Sequence, residues 1–418
     1  IELGATDIGG MVSGRNGPEA GVWVIAETTD LATRFARVVV TDGQGRYLIP
    51  DLPRAAYRVW VRGYGLVDSE RVAGTPGQRL DLAAVPAPSA AAAAEYYPGM
   101  YWYSMLRIPA ADQFPGTGDR PSGNGIPTSA RDQAAWIDTL KQSCQSCHGL
   151  GTRNVRRPSE TLAGIGNSYD MWMRRIQSGQ AMNNMATSIA RLGPERGLDL
   201  FADWTDRIRA GELPAEQPRR PEGLERNMVV TLWDWASPTT YQHDAISTDK
   251  REPTLNANGL IYGSPEESSD EVPVLDPVGH RVWTIRHPYA HPDTPTSADN
   301  LLGTSPFWGD EAIWDSRTSI HNPILDHRGL VWFTARIRPG EAQPAWCRAG
   351  GDHPSARVAP LNAATRHLSV YDPRTQRFDL IDTCFSTHHL YFGYDADHTL
   401  WTSWGGAAGG AIGWMNTR

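Results

Sequence analysis

Long apolar runs are missing from this sequence of 418 residues. None approaches the ~20 residues that a membrane-spanning helix needs, so no helical span is expected. Basic runs interleaved with aromatics are missing too. Lys and Arg number 39 against 47 Asp and Glu, a net charge of −8. That balance argues against nucleic acid or an anionic membrane surface as the main partner. The opening residues, Ile1-Glu2-Leu3-Gly4, carry neither the charged nor the apolar region of an export signal, so such a signal was removed or never there. Cysteine is scarce, with Cys144, Cys147, Cys347 and Cys384 making up all 4. The signature of disorder is absent as well, because 21% charged and 40% hydrophobic residues are ordinary for a folded chain.

Tryptophan, glycine and proline are plentiful, at 16, 41 and 31 residues, which favours short strands with many turns. At ~150 residues per domain the length suggests roughly three domains. The composition also divides into three blocks.

Residues 1–85 alternate apolar and polar in short runs such as Gly21-Val22-Trp23-Val24-Ile25-Ala26 and Tyr57-Arg58-Val59-Trp60-Val61. Turn residues separate the runs, which predicts a small antiparallel β-sandwich. The segment Thr41-Asp42-Gly43-Gln44-Gly45-Arg46-Tyr47, then Leu52-Pro53 and Tyr57-Arg58-Val59, resembles the carboxypeptidase regulatory-like domains. That resemblance implies a transthyretin-like fold and a packing or adhesion module without catalysis. An Ala/Pro stretch from Ala83 to Glu95 reads as a spacer.

Residues 96–215 read as helices. Ser129 is the expected N-cap of a helix carrying Trp136, Ile137 and Leu140, with Asp132 in its first turn. This helix runs into Cys144-Gln145-Ser146-Cys147-His148. Cys-x-x-Cys-His is the attachment signature of c-type haem: each thiol can form a thioether with a porphyrin vinyl group, and the histidine lies under the iron. A redox dithiol would call for a βαβ setting. A zinc site would call for a second Cys/His pair nearby, but the next histidine is His243. The block resembles a class I cytochrome c domain at motif level, with one attachment site, a helix leading in, a Met-bearing segment and a terminal helix. The resemblance implies His148 as proximal ligand and an axial methionine, which raises the potential. The candidates are Met171, Met173, Met182 and Met185, of which Met185 comes first and Met182 second. Gly179 would let the backbone approach the haem. Tyr96, Tyr97, Tyr101, Trp102 and Tyr103 either cover the haem edge or simply pack.

Residues 227–418 return to strands. Asp276-Pro277-Val278-Gly279-His280-Arg281-Val282-Trp283 recurs as Asp326-His327-Arg328-Gly329-Leu330-Val331-Trp332 and as Asp395-Ala396-Asp397-His398-Thr399-Leu400-Trp401. Such repeats predict a β-propeller, and they resemble the blades of streptogramin-lyase-like families. The catalytic residues of those lyases match no position here. Three repeats fall short of the ~4–8 blades of a closed ring. The propeller is therefore expected to be partial, with its remaining segment outside this chain. Cys347 and Cys384 are expected to form a disulfide. Eleven of the 12 histidines lie between His243 and His398. His321 precedes Asp326, and His388 and His389 precede Asp395, at similar distances. These three could converge near a propeller axis and hold a metal.

The expectation is a three-domain protein with an N-terminal β-sandwich, a central all-α cytochrome c-like domain and a C-terminal partial β-propeller. It would carry one haem c and act as a periplasmic or otherwise exported electron carrier. Electrons would pass to a redox partner protein or quinone-linked acceptor, with a small-molecule substrate oxidised or bound at the propeller. As an enzyme it would be an oxidoreductase. The alternative is a non-redox propeller, lyase-like or binding, with the haem as an accessory group. Substrate-dependent haem reduction would separate the two.

Overall fold

In the computed structural model, which describes residues 2–348, 351–358, 364–404 and 412–418, the alternating runs near the N-terminus form two sheets. Strands Ile8–Gly14 and Arg46–Ile49 belong to one. Strands Trp23–Thr28, Phe35–Val40, Tyr57–Arg62 and Val72–Gly74 belong to the other. Both send alternate side chains into one apolar core that includes Ile8, Val12, Val24, Phe35, Tyr47 and Val59.

The expected three-domain fold is not what the chain adopts. The described residues are sheet-rich, with 26% in strands and 22% in helices. They fall into two compact units, one of Ile1–Trp233 with Leu302–Asp310, the other of Asp234–Leu301 with Glu311–Arg418. No central all-α domain stands apart. The helices Gln133–Leu140, Ser168–Ile176, Met182–Leu192 and Pro194–Arg209 lie in the first unit together with the two sheets. Topology gives the reason. The strand Val230–Trp233, beyond the last helix, returns to pair antiparallel with Phe35–Val40. The helices are thus an insertion between strands of one sheet. Their core, built around Trp102, Trp136, Leu140 and Trp204, reaches the sheets through Tyr64 and Ala87.

The expected spacer is structured. Leu82–Ala83 pairs in parallel with the first strand, and Val85–Pro86 pairs with Leu66–Val67. The alanine run forms the helix Ala90–Ala94, capped by Ser89 and burying Ala93 and Ala94. Farther along, between Pro214 and Pro221, Arg220 binds the Glu19 carboxylate at 2.6 Å and the Tyr64 carbonyl.

Among the described residues, the second unit holds three antiparallel sheets and no closed propeller. The first contains Asp244–Ile246, Ile261–Ser264, Glu271–Asp276 and Arg281–Arg286. The second contains His321–Leu325, Val331–Ala335, His367–Asp372 and Arg377–Ile381. The third has Thr387–Phe392, Leu400–Trp404 and Ile412–Met415. The Asp-to-Trp repeat has a local cause. Asp326 accepts the backbone N–H groups of Arg328 and Leu330, and its second oxygen accepts the Trp332 indole N–H at 3.1 Å. Gly329 sits at φ 78°, where a side chain would be strained. Yet the three repeats are not equivalent. The turns after Asp326 and Asp395 join the first two strands of their sheets, whereas the turn after Asp276 joins the last two.

Candidate haem site and histidine cluster

Asp132, not Ser129, caps the helix that leads to the Cys-x-x-Cys-His motif. Its carboxylate accepts the Ala135 N–H at 2.8 Å. Trp136 and Leu140 anchor this helix in the core, and the Trp136 indole donates to the Leu192 carbonyl at 2.9 Å. The helix then widens into a π-helical turn, Lys141–Gln145. Such turns insert one residue and rotate the side chains C-terminal to them around the helix axis. Cys144 packs on the helical core, while Cys147 is exposed. Past the motif, the Gln145 side chain accepts the Leu150 N–H at 3.0 Å and closes the loop over His148. Gly151 lets this loop pass the helix Gly99–Tyr103, because a Cβ there would lie 2.0 Å from the Gly99 carbonyl oxygen.

The electrostatics disfavour both rival readings of the motif. Burial, with the Cys147 thiol beside it, pushes the Cys144 thiol up to about 11. A dithiol exchange centre needs the opposite shift. No set of three metal-capable side chains among the described residues includes either thiol, so a zinc site has no third ligand. Burial, then the Arg175 cation, hold the His148 imidazole below its usual value. That shift favours the neutral imidazole, the form that binds iron. His148 makes no side-chain hydrogen bond with the described residues.

Arg175 is one residue that the sequence did not point to. Partly buried in the last turn of Ser168–Ile176, it has no acidic partner among the described residues. Its guanidinium donates to Met185 Sδ at 3.3 Å and lies 5.3 Å from the centre of the Phe307 ring. Burial holds its pKa below the ordinary value. Phe307 arrives from Leu302–Asp310, a segment distant in sequence but part of the same unit. The Gly179 N–H donates to the Gly303 carbonyl at 3.0 Å, and Arg174 donates to the Thr304 carbonyl at 2.8 Å. Gly179 therefore receives this segment.

The four methionines separate. Met171 is buried core. Met173 packs on the core from the side. Met182 Sδ faces Gly303. Met185 Sδ faces Arg175, the same cation that neighbours His148. The aromatic cluster mostly packs. Trp102 is buried, donates to the Ala94 carbonyl and stacks under Arg156, and Tyr97 meets Tyr64 and Tyr101 edge-on. Tyr103 adjoins Cys144.

In the second unit, Cys347 and Cys384 are joined in a buried disulfide. Residues 349–350 and 359–363 of the insertion it pins lie outside the described residues. His321, His388 and His389 come together, with ligand atoms within 4.8 Å of one another. The His321 ring stacks on His388 at 4.6 Å and on His389 at 5.2 Å. A second triad, missed in the sequence, shares His321 and adds His243 and Glu266.

Comparison with known proteins gives no matching family model and no matching curated relative. The site therefore rests on its own residues.

Proposed function

We propose that this protein is a c-type haem electron carrier, with haem held by thioethers from Cys144 and Cys147 and ligated by His148. The observation that carries the reading is the environment of the motif. The motif's half-buried imidazole is held below its usual value by burial and by a nearby cation, Arg175, which has no acidic partner among the described residues. A haem propionate is the anion such a cation calls for. Met185, second Met182, would supply the other axial ligand as a soft thioether. Haem, when bound, supplies one-electron chemistry. The chain's residues hold it, keep His148 unprotonated and neutralise a carboxylate. The buried disulfide is in keeping with maturation outside the cytoplasm, where attachment to thiols takes place. Electrons would leave to a redox protein or a quinone-linked acceptor.

The test is the visible spectrum of protein matured in a haem-attaching host, oxidised and then reduced with dithionite. Sharp α and β bands, and haem that stays on the polypeptide in a denaturing gel, are expected. Loss of both in Cys144→Ser/Cys147→Ser would tie the haem to these thiols. A featureless spectrum of the native chain would end the reading.

A further inference from the structure

We propose that the histidine cluster of the second unit is a binding site for one divalent first-row transition-metal ion. His321, His388 and His389 would be its principal ligands, with Glu266 and His243 beside them. The site is built from three sheets. His321 opens the second sheet, the His388–His389 pair lies in the first strand of the third, and His243 and Glu266 flank the first two strands of the first. The first strands of neighbouring sheets lie against each other.

Backbone irregularity brings the rings together. In a regular strand His388 and His389 would point to opposite faces. The pairing of this strand slips between Thr387 and Leu390, and the two rings end 3.9 Å apart. The strand of His321 slips likewise between His321 and Ile324. There Asn322 adopts φ 44° and its side-chain oxygen accepts the Leu390 N–H at 2.6 Å, which ties the two slips together. Irregularities of this kind re-aim side chains beside functional sites.

The His321 ring is the strongest sign of a missing partner. It is 2% exposed, yet neither ring nitrogen makes a hydrogen bond with the described residues. Its Nδ1 lies 3.4 Å from Glu266 Oε1 without hydrogen-bond geometry. Buried polar atoms left this way cost free energy, and native folds avoid them unless a ligand completes the set.

Outer contacts orient the donors. Asp244 Oδ2 holds His243 Nδ1 at 2.9 Å, which leaves Nε2 as the lone-pair donor, 3.9 Å from Glu266 Oε2. Carboxylates do this to metal-binding imidazoles. Arg366 binds Glu266 Oε1 at 2.9 Å and so directs the other carboxylate oxygen elsewhere. It also brings a positive charge that opposes a cation, which four imidazoles and a carboxylate must outweigh. Imidazole donors select zinc, iron, copper or nickel over calcium and magnesium, which take oxygen. Metal–nitrogen bonds of ~2.0–2.1 Å put the donors of a tetrahedral set about 3.4 Å apart, so donor pairs near the 4.8 Å limit must close by an ångström or more on loading.

The probe is Zn(II) added to the chelator-stripped full chain, followed by calorimetry and by metal counting after gel filtration. One tightly bound zinc per chain is expected. His388→Ala/His389→Ala, which spares the buried ring, should lose it. Asp244→Asn should weaken it by about 10–100-fold. His353→Ala, an exposed histidine elsewhere, should keep it, as should Cys144→Ser/Cys147→Ser, whatever the haem content. Circular dichroism would establish that each variant is folded. No stoichiometric zinc on the native chain would overturn the proposal, as would equal binding by a folded His388→Ala/His389→Ala protein. Zinc lost only with the thiols would overturn it too.

Discussion

The Arg175 guanidinium donates to the thioether of Met185 at 3.3 Å and meets no acidic side chain among the described residues. A partly buried cation against a sulfur is poorly compensated, and burial lowers its pKa accordingly. The same cation depresses the His148 imidazole. It therefore acts on the electrostatics around the proposed iron ligand.

In haem-loaded protein, Arg175→Leu should leave attachment intact, because both thiols remain. Its reduction potential should fall by about 30–60 mV, since removing a positive charge disfavours the more electron-rich ferrous state. Arg175→Lys should recover most of that fall. Redox titration followed at the α band measures both. Unchanged potentials in both variants would remove Arg175 from the surroundings of the iron.

The two axial candidates give opposite expectations. Met185→Ala should abolish the weak far-red band of the oxidised protein and lower the potential, as thioether ligation raises it. Met182→Ala should keep that band, because Met182 Sδ faces Gly303 rather than Arg175. Reversed spectra would transfer the ligand to Met182.

The features legible in the sequence are local. Cys144-x-x-Cys147-His148 is five residues whose chemistry depends on their spacing. The Asp326 turn is equally local, since one carboxylate accepts two nearby N–H groups and the Trp332 indole. The departures are long-range. Nothing near Val230–Trp233 announces that it pairs with Phe35–Val40, and this pairing turns a supposed central domain into an insertion. The Ala/Pro stretch reads as a spacer because the strand partners of Leu82–Ala83 and Val85–Pro86 lie elsewhere in the chain. His243 and Glu266 escape a sequence reading because the three Asp turns look equivalent. The Asp276 turn belongs to the last hairpin of its sheet, so the matching offset before it falls on the wrong strand. Arg175 has no signal beyond a basic residue in a last helical turn.

The disulfide closes a loop with a sequence separation of 37. Chain entropy then gives a stabilisation of about 3–4 kcal/mol. Cys347→Ser/Cys384→Ser should lower the unfolding free energy of the second unit by about that amount. The ion pair of Arg338 with Asp382 at 2.8 Å should persist beside it and limit the local loss. Denaturant unfolding with and without reductant provides the measurement. A reductant effect in the native chain but none in the variant would assign the stabilisation to this bond.

Acid sensitivity of the second unit should come in part from two buried imidazoles. His287 Nδ1 lies 2.7 Å from the Pro288 carbonyl, so it carries the proton, and Nε2 accepts from the Ser369 hydroxyl at 2.7 Å. Burial holds His287 down to about 4, and burial followed by the Arg338 charge holds His367 down to about 4. Unfolded, both would titrate near ~6.5. Above that pH both states are neutral at these rings, and stability is full. Between ~6.5 and ~4 only the unfolded chain takes up these protons, so stability should fall as pH falls, by up to about 1.4 kcal/mol per pH unit for each ring. Below ~4 the folded rings protonate as well and this contribution levels off. Carboxylates that depend on ionisation, such as Glu266 at about 2, add their loss only at lower pH. His287→Gln should therefore be less stable at pH 7 through its altered hydrogen bonds, yet show a shallower decline between pH 6.5 and 4.5. Urea unfolding at half-unit pH steps compares the two slopes. Parallel slopes for native and His287→Gln protein would mean that His287 is not held neutral in the folded state.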